Sequence, residues 1–322
     1  MNKTINIIGL GNAGVNLYDS LSKKINSNKI KFILLETNKE KLNTIGDKNN
    51  LEKILVGEGL GTGGDPNLAK ELLIKQKAEI LDKLNGEVNI VCAGLGGGTG
   101  EGFINIIVDW SKELGVVTLP IMLTKNGLYN SLEQIKTKEV PYIQYNQDTV
   151  YAKNPDLENL PPSDYNQVPF NGYRQTIQAI LNIINKIVTI AIDVNDVKSV
   201  LSKPGKAISI CENDETVDRV IRKVEASPFN ENNFKSEAKG LLFLLEYPEK
   251  SLTQKQLNSI INGQFNNIKY SKISSLETQS KYFTLNVIMT GLPEPISEEY
   301  FTAKGYKEND ISLIRQTSKS YG

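Results

Sequence analysis

The residues of this sequence best suited to do chemistry are three glycine-rich turns and one pair of aspartates. The densest turn runs Gly94-Leu-Gly96-Gly97-Gly98-Thr99-Gly100-Glu-Gly102, six glycines in nine residues. So much glycine is entropically costly for a plain connection. It makes sense where consecutive backbone N–H groups must curl around an anion, with the Thr99 hydroxyl as a further donor. A second turn, Gly9-Leu-Gly11-Asn12-Ala13-Gly14, follows an apolar run and opens a helical pattern. That arrangement lets phosphate approach a positive helix end. The third, Gly59-Leu-Gly61-Thr62-Gly63-Gly64-Asp65-Pro66, again precedes a helical pattern, with Pro66 suited to a first helical turn. Far along the chain, Asp193 and Asp196 stand three residues apart and would share a helix face.

These patterns leave rivals open. Taken alone, the turn at Gly9 and the carboxylate of Glu36, at the end of the next strand, fit an NAD-dependent oxidoreductase of Rossmann type, with Glu36 on the ribose. Three phosphate-friendly turns in one region suit a triphosphate better than a nicotinamide dinucleotide. No GxxxxGK[ST] sequence is present, which argues against a P-loop nucleotidase. Asp193 and Asp196 read most simply as a helix N-cap and a first-turn acid favoured by the helix dipole. The other reading is a metal-dependent hydrolytic site, in which Mg2+ and an ordered water separate the carboxylates from a triphosphate. The sequence has no histidine, so His-based triads and His-ligated metals are excluded.

The elements that must position these residues follow from the apolar patterning. Residues 5–10, 31–36, 88–93 and 116–123 read as strands, and 15–23, 68–84 and 102–114 as helices. Strands separated by helices imply βαβ units and a parallel sheet, whose ligands bind at the carboxyl ends of its strands. Residues 154–169, with Pro161 and Pro162, read as a loop. A helix over 171–188 follows, with Ile177, Ile180, Leu181, Ile184 and Ile187 at the spacing of a buried stripe. Then come strands at 207–211, 240–246 and 283–289 and helices at 214–226 and 253–262. The expected fold is therefore α/β. It has a Rossmann-like nucleotide domain with a parallel sheet (1–170), a long central helix with the acidic loop after it (171–200), a second, smaller α/β domain with a sheet of three or four strands (201–292), and a tail (293–322).

Composition bounds the rest. The 322 residues are 39% hydrophobic and 23% charged, as in an ordinary soluble protein. Lys+Arg and Asp+Glu are equal at 37 each, so no global field favours nucleic acid or an acidic membrane. No run approaches the roughly 18 apolar residues of a membrane helix. Cys92 and Cys211 sit in apolar strand-like contexts and read as free thiols suited to a reducing cytoplasm.

The motifs together resemble the tubulin/FtsZ superfamily. Gly96–Gly102 (GGGTGEG) is similar to that family's GGGTG[ST]G signature, and Gly9–Asn16 (GLGNAGVN) to its first nucleotide loop. Glu36–Leu42 (ETNKEKL) resembles the NTDxxxL loop, and Gly59–Pro66 (GLGTGGDP) the GLGAGxNP loop. Asp193-Val-Asn-Asp196-Val resembles the NxDxxDV segment. Phe170 falls where the family carries a phenylalanine that stacks on guanine. The resemblance implies a GTPase with GTP/GDP and Mg2+ as cofactors. The implied nucleotide contacts are Gly11, Asn12, Ala13, Asn16, Thr37, Asn38, Gly61, Thr62, Gly63, Gly64, Gly96, Gly97, Gly98, Thr99, Gly100, Phe170 and Arg174, with Asp65 holding the metal through water. It turns the reading of Asp193 and Asp196 toward catalysis, reaching over the γ-phosphate held by the next subunit of a head-to-tail homopolymer.

There are departures. Ala191 stands at the asparagine of NxDxxD, Glu101 replaces a small Thr or Ser, and residues 126–134 (NGLYNSLEQ) lack the FEG…R ribose pattern. Arg174 and Gln175 stand where FtsZ has Asn-Asp. The short tail and divergent loops look more like phage- or plasmid-type tubulin-like proteins that position DNA, placing the chain in a host-cell cytoplasm; an FtsZ-type division protein is the alternative. The acidic tail is a candidate site for a neighbouring subunit, adaptor or cargo, and neither direct nucleic-acid nor membrane binding is expected.

Overall fold

The structure, a computed structural model, describes residues 5–21, 30–152, 155–165, 168–185, 192–227, 238–265 and 268–293. The tail beyond 293 and Ala191 lie outside them. In chain order the elements are β1 (Ile5–Leu10), α1 (Gly11–Leu21), β2 (Ile30–Glu36), α2 (Lys39–Asn43), β3 (Leu51–Leu55), α3 (Pro66–Lys75) and α4 (Lys77–Lys83). Next are β4 (Val88–Gly94), α5 (Gly98–Glu113), β5 (Val117–Thr124), α6 (Asn130–Lys136), β6 (Pro141–Asn146), α7 (Gln147–Ala152) and α8 (Pro162–Tyr165). The chain continues through α9 (Val168–Asn185), α10 (Val194–Leu201), β7 (Gly205–Asp214), α11 (Val217–Ala226), β8 (Gly240–Pro248), α12 (Gln254–Phe265), β9 (Tyr270–Thr278) and β10 (Phe283–Leu292). No helix among the described residues is long and apolar enough to cross a membrane.

The strands form one ten-stranded sheet in the order β3-β2-β1-β4-β5-β6-β7-β10-β8-β9. From β3 to β6 all pairings are parallel. The far half, β7 to β9, is mixed, with β10 antiparallel to both β7 and β8. The expected second sheet therefore has its four strands, but it is continuous with the first. The join is narrow: only Pro141 with Gly205 and Tyr142 with Lys206 pair across β6 and β7.

Strand alternation sorts the core. Ile5, Ile7, Phe32, Leu34 and Ile90 face α1, α9 and α10, whereas Ile8, Leu10, Ile33, Leu35 and Val91 face α3 to α6. Both faces are covered, which is why β1, β2, β4 and β5 are almost continuously apolar. In the far half, Leu241, Phe243 and Leu245 pack with α11 and α12, and Leu242, Leu244 and Ile288 join the cluster of α9 and α10. One helix face thus serves both halves of the sheet.

Several boundaries differ from the sequence expectation. The helix expected at 68–84 is two, broken at Gln76, whose side chain leaves the helix to cap Gly57 N–H (2.8 Å) and reach Leu55 O (3.3 Å). The strand expected at 207–211 runs to Asp214, and its helix starts only after the Thr216 N-cap. The 154–169 stretch holds short helices, and α9 begins at Val168 with Pro169 in its first turn. The end of the expected helix, 186–188, lies outside the described residues.

Candidate functional site

Strand order reverses around β1, with β2 on one side and β4 on the other. Open α/β sheets form their ligand crevice at such a point, at the carboxyl ends of the strands. The turn after β1 and the turn after β4 therefore flank it, and they touch. Gly11 takes a positive φ of 65°, and a Cβ there would lie 3.1 Å from Thr99 Cβ and 3.2 Å from Gly100 N. Ala13 lies similarly against Gly94, Asn12 is exposed and Asn16 half-buried.

The third turn closes the same rim. Lys39 N–H donates to Gly59 O (3.0 Å) and Gly61 N–H to Thr37 O (2.9 Å). The hydroxyls of Thr37 and Thr99 are hydrogen-bonded at 2.8 Å, joining the second strand's loop to the glycine run. Asn38 caps α2 by accepting from Lys41 N–H (3.1 Å). Gly63 and Gly64 have open space around them.

The glycine run itself is less a loop than a helix start. Residues Gly98, Thr99 and Gly100 form the first turn of α5, with Gly97 at the N-cap. Several of its glycines are required by packing. A Cβ on Gly98 would meet Thr62 Oγ1 at 2.1 Å, one on Gly100 would meet Gly94 O at 2.5 Å, and one on Gly102 would meet Pro66 O at 2.5 Å. Gly97 is different: its φ is −113° and a Cβ would meet nothing within 4 Å. The free N–H groups of this helix end, ringed by the three turns, suit a polyphosphate.

Further residues complete the rim, of which Asp148 and Tyr173 carried no signal in the sequence. Glu101 turns its carboxylate back onto Gly96 N–H (3.0 Å). Tyr129 packs beside Gly96 and accepts from Lys125 N–H (3.2 Å), so the divergent loop after β5 lies over the glycine run. Asp148 accepts from Asn126 N–H at 2.5 Å and holds that loop's base. Tyr173, fully buried, donates to Ala93 O at the end of β4. Burial pushes its phenol well above the ordinary value, so it stays a donor. This bond sets the start of α9, with half-buried Phe170 and Arg174, beside the glycine run. Arg174 is hydrogen-bonded to Asn171, and burial lowers its guanidinium below the ordinary value.

Glu36 does not present itself to a ribose. It is buried, and one of its oxygens accepts from Thr37 N–H (2.7 Å) and Asn38 N–H (3.0 Å). Its role is to shape the loop, which removes the residue on which the dinucleotide reading depended. Asp65 caps α3 with Oδ1, accepting from Asn67 N–H (2.8 Å) and Leu68 N–H (3.4 Å), and is exposed at the rim.

Asp193 and Asp196 form a reciprocal capping box at the start of α10: Asp193 Oδ1 accepts from Asp196 N–H (2.9 Å), and Asp196 Oδ2 from Asp193 N–H (3.1 Å). Asp196 is also paired with Lys272 at 2.7 Å. Burial works to raise its carboxyl, but Lys272 and the Asp193 N–H together hold it below the ordinary value. The helix lies at the opposite edge of the sheet from the glycine turns. Lys198 of α10 binds Glu87, the residue just before β4, at 2.7 Å, whereas the glycine run starts where β4 ends. The seven residues of β4 span about 20 Å. No single subunit brings the two candidate half-sites together.

Residues 4–148 match the model of the Tubulin/FtsZ family, GTPase domain. The cell division protein FtsZ 2 of Methanocaldococcus jannaschii is 30% identical over 276 residues, covering 80% of this chain and 70% of that protein. An FtsZ dimer structure from M. jannaschii superposes with a TM-score of 0.75 at 20% identity, covering 90% of this chain and 89% of that one. A GTPγS-form protofilament of Bacillus thuringiensis serovar israelensis TubZ gives 0.70 at 13% identity, covering 100% and 95%. The likeness to both structures is one of fold.

Proposed function

The chain belongs to the tubulin/FtsZ family and carries its GTPase domain, and from that premise we propose that it forms head-to-tail filaments in which each subunit's Asp193 and Asp196 complete its neighbour's GTPase site. The observation that carries this reading is the separation of the half-sites. The phosphate cradle sits at the carboxyl edge of the sheet and the acidic pair at the amino edge. A heterologous contact joining one edge to the other repeats without closing, which is the geometry of a filament.

In this reading the N–H groups at the start of α5, with Thr99 and the Gly61–Gly64 turn, hold the phosphates. Phe170 stacks on the base and Arg174 borders it. Asp193 and Asp196 polarise the attacking water from the adjoining subunit. Exposed Asp65, beside the open Gly63–Gly64 turn, is the hard oxygen donor at this rim that suits Mg2+. A cation held there is bound chiefly through phosphate oxygens and water, with Asp65 in reach of one such water. When bound, Mg2+ supplies neutralisation of phosphate charge. Residues 1–170, 171–200 and 201–292 then divide the work as cradle, connecting helix with acidic loop, and support for that loop.

The test is kinetic. GTP turnover per subunit is expected to rise steeply with protein concentration, alongside sedimentation with GTP or a slowly hydrolysed analogue. Turnover per subunit that is independent of concentration would contradict the shared site. Asp193→Asn is the cleanest variant, because asparagine caps a helix as well as aspartate does and only the charge is lost.

For the biological role we propose positioning of phage or plasmid DNA, on the divergence of Glu101 and of residues 126–134 from the FtsZ pattern. A fluorescent fusion should then track with a DNA body in the cell; a mid-cell ring would instead place the chain in division.

A further inference from the structure

The Asp193/Asp196 pair offers four carboxylate oxygens, and the fold has already engaged three. Asp193 Oδ1 and Asp196 Oδ2 take each other's backbone N–H groups at 2.9 and 3.1 Å. Asp196 Oδ1 takes the ammonium of Lys272 at 2.7 Å. Lys272 belongs to β9, far along the chain from α10. The structure gives Asp193 Oδ2 no partner among the described residues, and Asp193 is exposed.

We propose that Lys272 is a positioning residue for hydrolysis between subunits: it fixes Asp196 as an anchor and leaves Asp193 Oδ2 as the oxygen that accepts a hydrogen bond from the attacking water. This rests on the reading of α10 as the half-site presented to the next subunit's nucleotide.

Charge gives the physical reason. Two carboxylates brought toward a triphosphate add two negative charges to an anion already there. With one ammonium bound, the trio carries one, so the approach is less opposed while one oxygen remains available. Stability gives a weaker reason for the pair. The side chains of Lys272 and Asp196 are 43% and 24% exposed, and ion pairs so open to solvent add little to a fold. Next to Lys272 on the strand there is a second cation contact. Tyr270 lies two residues before Lys272, on the same strand face, and the ammonium of Lys203 sits 3.5 Å from its ring centroid.

The test compares Lys272→Met and Lys272→Arg in the full chain, with Asp193→Asn and Asp196→Asn as references. Three quantities are measured: GTP affinity of unassembled subunits, Tm, and GTP turnover per sedimented subunit. Lys272→Met should leave affinity and Tm unchanged and lower turnover per sedimented subunit about tenfold or more, the scale of losing a charge-assisted hydrogen bond to a working carboxylate. Lys272→Arg should recover most of that loss, and Asp193→Asn should lose more than Asp196→Asn. Wild-type turnover in Lys272→Met beside an inactive Asp193→Asn overturns the role of Lys272 and leaves the shared site standing. Equal loss in the Met and Arg variants, or a loss traceable to failed sedimentation, overturns it too. Wild-type turnover in both aspartate variants overturns the shared site itself.

Discussion

Gly97 and Gly98 are neighbours with different reasons to be glycine. Gly98 is held by contact, since its Cβ would sit 2.1 Å from Thr62 Oγ1 and 2.9 Å from Asp65 N. Gly97 has ordinary backbone angles and empty space, so nothing inside the chain requires it to lack a side chain. A side chain there would instead obstruct a ligand entering that space. Gly98→Ala should therefore separate the two turns and lower stability by about 1–3 kcal/mol, the usual cost of overpacking, seen in thermal or urea melts. Gly97→Ala should leave the melt unchanged and weaken GTP binding in titration calorimetry. Unchanged affinity in Gly97→Ala would mean that phosphate does not sit at this helix end. The sequence marked the whole run as phosphate-binding because composition cannot separate a glycine needed for packing from one needed for a ligand. Glu101 was similarly opaque: the sequence showed it only as a departure from the signature, and the fold places its carboxylate on Gly96 N–H.

At the level of elements, α9 ties the two halves of the sheet together. Its early residue Tyr173 is bonded at Ala93 O beside the cradle, and its later residue Asn182 donates to Asn286 of β10 (3.0 Å). Between them, Glu212 of β7 is hydrogen-bonded by Gln175; burial raises its carboxyl above the ordinary value, against the lowering pull of Lys223 and of that hydrogen bond. A carboxyl whose folded value is raised binds its proton more tightly in the folded state. Ionising it then costs stability, and that cost grows as pH rises through the raised value. Glu212→Gln should thus raise Tm at neutral pH, and the difference should vanish toward about pH 4, where the carboxyl is protonated in both states. An unchanged Tm at neutral pH would show that Glu212 stays well solvated.

The elements also show what patterning can reveal. The four strands buried on both faces, β1, β2, β4 and β5, were legible as apolar runs. The strands at the two ends of the sheet, β3 and β9, were not. Edge strands tolerate charge: β3 carries Glu52, bridged to Lys31 and Lys83 at 2.5 Å each, and β9 reads Tyr-Ser-Lys-Ile-Ser-Ser-Leu-Glu-Thr. Lys272 sits on β9, so its pairing with Asp196 was out of reach of the sequence, whereas the capping box three residues apart was in plain view.

Across the whole molecule, the sheet separates what chemistry needs together. The cradle and the acidic pair lie at opposite ends of β4, whose seven residues set them about 20 Å apart. Each end has its own support: Tyr173 of α9 at the cradle and Lys272 of β9 at the acidic pair. A hydrolytic site assembled this way works only when subunits stack, so assembly and turnover are one event seen twice. The most direct test is complementation. A cradle-blocked chain, Gly97→Val, and an acid-blocked chain, Asp193→Asn with Asp196→Asn, are each measured alone and then mixed. Each alone should be nearly inactive. The mixture should regain GTP turnover, because a blocked cradle and a blocked acid pair can be segregated to the same contacts, leaving others intact. A mixture that co-sediments yet stays inactive would contradict the shared site.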